Sequence, residues 1–143
     1  MKQREQSQAC LSYAESRQRK TVGQRCSGGA YIMEKDGKVI DEYVISDDHT
    51  TEFRMILTVM IHAMEVIPEG SAIVLMTNVA YIQNFDKEPT DKTANADLIR
   101  ECISVKEKHK SAIVKLVPFH KYTQLPRTHK MAHEAMMTLR SRR

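Results

Sequence analysis

No apolar run in this sequence is long enough to cross a bilayer. The longest mostly apolar stretches, 55–64 and 72–76, fall well short of the roughly 20 residues a membrane helix requires. The opening Met1-Lys2-Gln3-Arg4-Glu5-Gln6-Ser7 has no apolar core of the secretory type. Cysteine is scarce: Cys10, Cys26 and Cys102 are odd in number, far apart and without metal-type pairing, so ordinary reduced thiols are the simplest reading. Repeats and low-complexity blocks are also missing, which argues against a solenoid or a disordered tract. These absences together lead us to expect a soluble, non-exported, cytoplasmic protein.

What is present fits one domain over 1–143. The chain has 143 residues and 41% hydrophobic content. A domain of that size buries roughly two-thirds of the surface exposed by its unfolded chain. The net charge of +4 conceals a segregation. Residues 1–26 carry six Lys/Arg against two Asp/Glu, residues 27–102 carry six against fourteen, and residues 103–143 carry ten against two. The successive balances are therefore +4, −8 and +8. A basic loop at about 17–27 and a basic tail at 140–143 accompany this pattern. Such a C-terminal third suits a phosphate backbone or an acidic protein surface, and it is equally what a solvated helix face with a frayed tail would show.

Periodicity predicts strands over 10–13, 30–33 and 39–46, the last two joined by an Asp36-Gly37 turn, in a three-stranded antiparallel meander. The stretch 15–24 reads as a loop. The segment 47–51 offers cap residues ahead of a helix over 52–66, whose apolar positions Met55, Val59, Met60, Ala63 and Val66 recur at helical spacing until Pro68-Glu69-Gly70. The continuous apolar run 72–77 suits a central strand covered on both faces, reached by a crossover and hence parallel to a neighbour. A short helix over 79–85, a helix over 95–109, a fifth strand over 112–117 closed by Pro118 and a last helix over 127–139 complete the order. Most of the nine methionines fall on inner helix faces as packing residues, and His62 reads as a partnered residue at the core boundary.

Several motifs in this order resemble those of the ribonuclease H family. Gly28-Gly29-Ala30 looks like the double glycine opening the family's second strand. Thr50-Thr51-Glu52-Phe53-Arg54-Met55-Ile56-Leu57 resembles its Thr-Thr-x-x-Arg-x-Glu-Leu helix start. Thr77-Asn78-Val79-Ala80-Tyr81-Ile82 is similar to Thr-Asp-Ser-x-Tyr-Val. Thr128 to Ala135 resembles Asn-x-x-x-Asp-x-x-Ala, and Ser12-Tyr13-Ala14-Glu15-Ser16 looks like x-Thr-Asp-Gly-Ser. The resemblance covers 9–139 and implies an α/β, ribonuclease H-like fold. In that fold a mixed five-stranded sheet, its strand order taken from the family, carries helices on both faces.

The same matches place Ala14, Ile56, Asn78 and Ala132 where the family carries its metal-binding carboxylates. Two-metal phosphodiester cleavage needs several anionic oxygens around a pair of hard cations, and two alanines and an isoleucine supply none. No cofactor is expected, and Mg²⁺ or Mn²⁺ would enter only if acids had relocated. Glu15 and Glu52 are the candidates: Glu15 adjoins Ala14 but faces the other side of its strand, and Glu52 precedes Ile56 by one helical turn. His129 and His133 have the i, i+4 spacing of two zinc ligands. A third ligand such as His120 would have to approach them, and without one the pair is a polar helix face.

Candidates for nucleic-acid contact are Arg17, Arg19, Lys20 and Arg25 in the basic loop, Thr51 at a position the resemblance associates with phosphate, and Arg54 one turn beyond it. His120 is placed by resemblance as the family's loop histidine, and Lys121 and Lys130, with Lys115, flank the other side. Asp47, Asp48 and Glu52 oppose phosphate near the first helix, and Ala80 replaces a groove-contacting polar residue, which argues against selectivity for an RNA/DNA hybrid. The leading reading is a catalytically inactive ribonuclease H-like domain binding nucleic acid or a protein that handles it. The alternatives are a divergent metal-dependent nuclease with relocated carboxylates and a small interaction or inhibitor protein without nucleic-acid affinity.

Overall fold

Glycine decides how the layers of this protein approach one another. The computed structural model describes residues 6–15, 26–47, 50–83, 85–93, 95–119 and 124–141. Its elements are β1 (Gln6–Glu15), β2 (Ser27–Lys35), β3 (Lys38–Asp47), α1 (Glu52–Val66), β4 (Ala72–Thr77), α2 (Ala96–Lys106), β5 (Ser111–Leu116) and α3 (Leu125–Ser141). The strands form one five-stranded sheet in the order β3-β2-β1-β4-β5. The first three pair antiparallel, whereas β4 runs parallel to both β1 and β5. This is the mixed sheet expected.

Consecutive residues of a strand face opposite sides of a sheet, and Gly28 and Gly29 each admit a different helix. A Cβ on Gly28 would collide with the backbone carbonyl of Ala132 in α3, and a Cβ on Gly29 would lie 2.6 Å from Val59 Cγ2 and 2.7 Å from Met55 Sδ in α1. The helices α1 and α3 therefore cover opposite faces of the sheet at the same point of β2. The double glycine belongs to the strand itself, which begins three residues before the predicted start because glycine keeps its ladder bonds while giving up a side chain.

Local chemistry sets the remaining boundaries. Asp36 and Gly37 have φ of 56° and 78°, the backbone a two-residue hairpin loop requires. The Thr51 side chain caps α1 by accepting from the Arg54 backbone N–H at 3.3 Å. The predicted helix over 79–85 contracts to a single 3-10 turn, Ala80–Ile82, and α2 is shorter at both ends than its pattern implied. Asn95 takes φ of 59° and stops α2 from extending backward. At the far end, His109 leaves the helix to place Nε2 2.7 Å from the Met64 carbonyl. α3 begins earlier than expected because Pro126 sits in its first turn, where a missing N–H leaves no bond unmade.

The larger core lies on the α1 side of the sheet, takes in Ile99, Cys102 and Val105 of α2, and includes Tyr31, Met33, Ile56, Leu57, Met60, Met64, Leu75 and Ile82. A smaller cluster of Cys26, Ala30, Ala132 and Met136, with Met131 and Leu139 against it, lies beneath α3. Met55, Met60, Met64 and Met136 are buried as the pattern implied, whereas Met137 is exposed. Among the described residues, no helix is long and apolar enough to cross a membrane.

Candidate nucleic-acid interface

Two of the four positions matched to acids by resemblance are packing residues. Ile56 is fully buried in the core beneath α1, and Ala132 is fully buried in the separate cluster beneath α3. The sheet lies between them, so Ile56 and Ala132 do not line a common pocket. Ala14 pairs with Gly28 across the β1/β2 ladder, and Asn78 is exposed directly after β4. Burial of both positions follows from their side chains: an isoleucine and an alanine gain from leaving water, whereas an unpaired carboxylate would lose heavily. The donor set does not fit a pair of divalent cations. Among the described residues, no group of three or more His, Cys, Asp or Glu could hold a metal ion. Of the relocated-acid candidates, Glu52 is half-buried in the first turn of α1, and the backbone of Glu15 pairs with Ser27.

Arg54 is already engaged. Its guanidinium donates to both Asp97 carboxylate oxygens, at 3.2 and 3.1 Å, and to Asn95 Oδ1 at 3.0 Å. A fork of this kind ties α1 to the start of α2. The hydrogen bond from Arg54 holds the Asp97 carboxyl below its ordinary value, and Asp97 in turn raises the guanidinium. Thr51, whose hydroxyl caps α1, lies on the same side of the molecule.

The described cations of the C-terminal third lie elsewhere. Lys115 is exposed on β5 opposite Met76, and the ladder places both on the α3 side of the sheet. Lys130 is exposed on α3, and Arg127 pairs with Glu42 of β3 at 2.7 Å. The structure thus separates Thr51 and Arg54 from Lys115 and Lys130 by the thickness of the sheet. Arg17, Arg19, Lys20, Arg25, His120 and Lys121 lie outside the described residues, as does most of the loop read over 15–24. His133 is exposed, and His129 packs edge-on against Phe119 with ring centroids 5.5 Å apart.

A polar cluster escaped the sequence reading. The Tyr31 hydroxyl donates to Asp41 Oδ2 at 2.6 Å and lies 3.1 Å from His62 Nδ1. A phenol carries one proton, so with that proton directed to Asp41 the His62 nitrogen is assigned as the donor. The His62 ring stacks on Tyr43 with centroids 3.7 Å apart and planes 9° apart. Burial, reinforced by the hydrogen bond to Asp41, drives the Tyr31 phenol far above its ordinary value, and burial raises Tyr43 as well. His62 is thus the partnered boundary residue expected. Its partners depend on the β2/β3 register, which the spacing of two tyrosines does not reveal. Cys102 is buried, with its thiol pushed up to about 12 by desolvation and then by Glu101, and Cys26 is buried beneath α3.

Comparison with known proteins bears on the fold. No protein-family model matches the sequence, and no curated protein matches it significantly. Among solved structures, the ribonuclease H1 of the halophilic archaeon Halobacterium salinarum NRC-1 aligns with a TM-score of 0.67 at 16% identity, covering 93% of this chain and 98% of that one. LC11 ribonuclease H1, solved in complex with an RNA/DNA hybrid, aligns at 0.73 with 11% identity over 93% of this chain and 98% of its own. The protease-reverse transcriptase of prototype foamy virus aligns at 0.74 with 8% identity over 91% of this chain, which spans only 20% of that longer polypeptide. The fold is ribonuclease H-like.

Proposed function

We propose that this chain, built on the ribonuclease H-like fold, is a catalytically inactive domain that binds nucleic acid through the α3 side of its sheet. One observation carries the reading: two positions matched to metal-binding acids, Ile56 and Ala132, are packing residues in separate cores, while Lys115 and Lys130 stand exposed on a common side. The net charge of +8 over 103–143 supplies the long-range attraction for a polyanion. The complex of LC11 ribonuclease H1 with an RNA/DNA hybrid supports the choice of ligand class.

Binding of this kind works through counterion release and shows weak sequence preference, because lysines contact phosphate and not base edges. Arg54, committed to Asp97, contributes little to it. The test is retention on RNA, DNA and hybrid at rising salt, together with a cleavage assay in Mg²⁺ and Mn²⁺. The expected result is salt-sensitive binding without cleavage, with affinity falling about tenfold on combining Lys115→Glu with Lys130→Glu. Metal-dependent cleavage abolished by Glu15→Gln or Glu52→Gln would overturn the inactive reading. Binding indifferent to the paired lysine changes would overturn the assigned face.

A further inference from the structure

The helix α3 packs against β1, β2 and β3, and the rest of that side of the sheet belongs to β4 and β5. Residues opposite one another in a ladder share a face, so Val74 with Ile113 and Met76 with Lys115 lie together there. Val117 packs against Val74 and Met76. Lys115 is exposed between Val117 and Ile113, which is itself 55% exposed. Two contacts fix which flank of α3 borders this surface. Arg127 reaches Glu42 of β3 on one flank, and His129 meets Phe119, just beyond the end of β5, on the other. His133 and Met137 follow His129 by one and two helical turns on the β5 flank, and both are exposed, Met137 at 43%.

The chemistry of this surface distinguishes between forms of nucleic acid. A duplex keeps its base faces inside and offers phosphate, to which exposed apolar side chains contribute nothing. A single strand carries an unstacked base beside each phosphate and is held where stacking or apolar contact accompanies cations. Ile113, Lys115 and Val117 supply that alternation along β5 and its end, and His133 and Met137 stand on the neighbouring flank of α3. Among the described residues neither Lys115 nor Lys130 forms an ion pair, so both charges remain for phosphate. Resting on the nucleic-acid reading above, we infer that the surface between β5 and the α3 flank bearing His133 and Met137 takes single-stranded RNA or DNA in preference to a duplex. The bases lie against Ile113, Val117 and Met137, and the phosphates are held by Lys115 and Lys130.

The probes are fluorescent oligo-dT, oligo-U, duplex DNA and RNA/DNA hybrid, each of about twelve nucleotides per strand, a length within the range one such site spans. Anisotropy titrations of the full chain at several salt concentrations are the readout. The expected result is that at least one single strand binds about tenfold more tightly than duplex or hybrid at the same salt. Ile113→Thr combined with Met137→Gln should abolish that preference and leave the salt slope unchanged, since no charge is altered. Threonine keeps the β-branch and glutamine the helix preference at these two exposed positions, and an unchanged melting temperature would verify the fold. Equal or tighter binding of duplex or hybrid by the parent protein would overturn the single-strand assignment and leave nucleic-acid binding standing. A preference retained in full by the double variant would overturn the assigned surface. No binding of any of the four probes at low salt would overturn the proposed function and this inference with it.

Discussion

The backbone carbonyl of Ala132 occupies the space that a side chain on Gly28 would need. This contact joins the start of β2 to the middle of α3, where Ala132 is fully buried in one cluster with Cys26, Ala30 and Met136. Gly29, one residue on, makes the reciprocal allowance for α1 through the flexible Met55 and the methyl tip of Val59. The two glycines are therefore unequal in consequence. Gly28→Ala meets backbone, which cannot yield without moving α3, and is expected to destabilise by about 3 kcal/mol or more. Gly29→Ala meets side-chain ends and is expected to lose less. Urea midpoints of the two variants check the order.

Placing acids at the matched positions is expected to damage the fold and not to create a metal centre. Ile56→Glu and Ala132→Asp each bury an unpaired carboxylate, for which about 3–5 kcal/mol is the expected loss at neutral pH. Burial raises the folded-state value of such a group, so each variant recovers stability as the pH falls and loses it as the pH rises through the carboxylate range. Melting temperatures at pH 5 and pH 8 measure this. A rise in the melting temperature of the doubly substituted protein with Mn²⁺ would contradict the separation of the two positions.

Tyr31 supplies a third expectation. Tyr31→Phe removes the hydrogen bond to Asp41 and the acceptor of His62, a loss of about 1–3 kcal/mol. The raised phenols of Tyr31 and Tyr43 also set an alkaline limit. Because the folded state favours the neutral form, their contribution is intact below the ordinary phenol value of about 10 and is lost as the pH rises beyond it. Alkaline unfolding followed by circular dichroism should therefore be shallower in Tyr31→Phe than in the parent protein.

At the acid end, the Arg54–Asp97 pair behaves in the opposite sense. Hydrogen bonding lowers the folded-state value of Asp97, so its contribution is present above the ordinary carboxylate range and disappears as the pH falls through it. Exposure and salt keep that contribution small. Asp97→Asn is expected to flatten the acid limb of the stability profile. Arg54→Ala should leave nucleic-acid retention close to that of the parent protein, in contrast to the lysine changes on the α3 side.

The amino-acid order determined the repeating parts of this protein. The apolar spacing over 52–66 and the continuous run over 72–77 matched α1 and β4 residue for residue, because each carries its own period, caps and stop signals. The Asp-Gly pair likewise set the β2/β3 hairpin, since few residues accept positive φ at two consecutive positions. Charge segregation, too, is a property of sequence alone.

Tertiary structure decided what those elements place together. Gly28 and Gly29 gave no sign in sequence that each faces a different helix, because a missing side chain reveals a vacancy and not its occupant. Arg54 was legible as a cation but not as a cation already held by Asp97, forty-three positions away. Ile56 and Ala132 were matched to acid positions by resemblance alone, yet only the packed sheet puts them in different cores. The Tyr31, Asp41, His62 and Tyr43 cluster depends on a strand register and a helix azimuth that no local pattern encodes. Short-range periodicity is written along the chain, whereas the meeting of distant side chains is settled by the joint packing of both faces of the sheet.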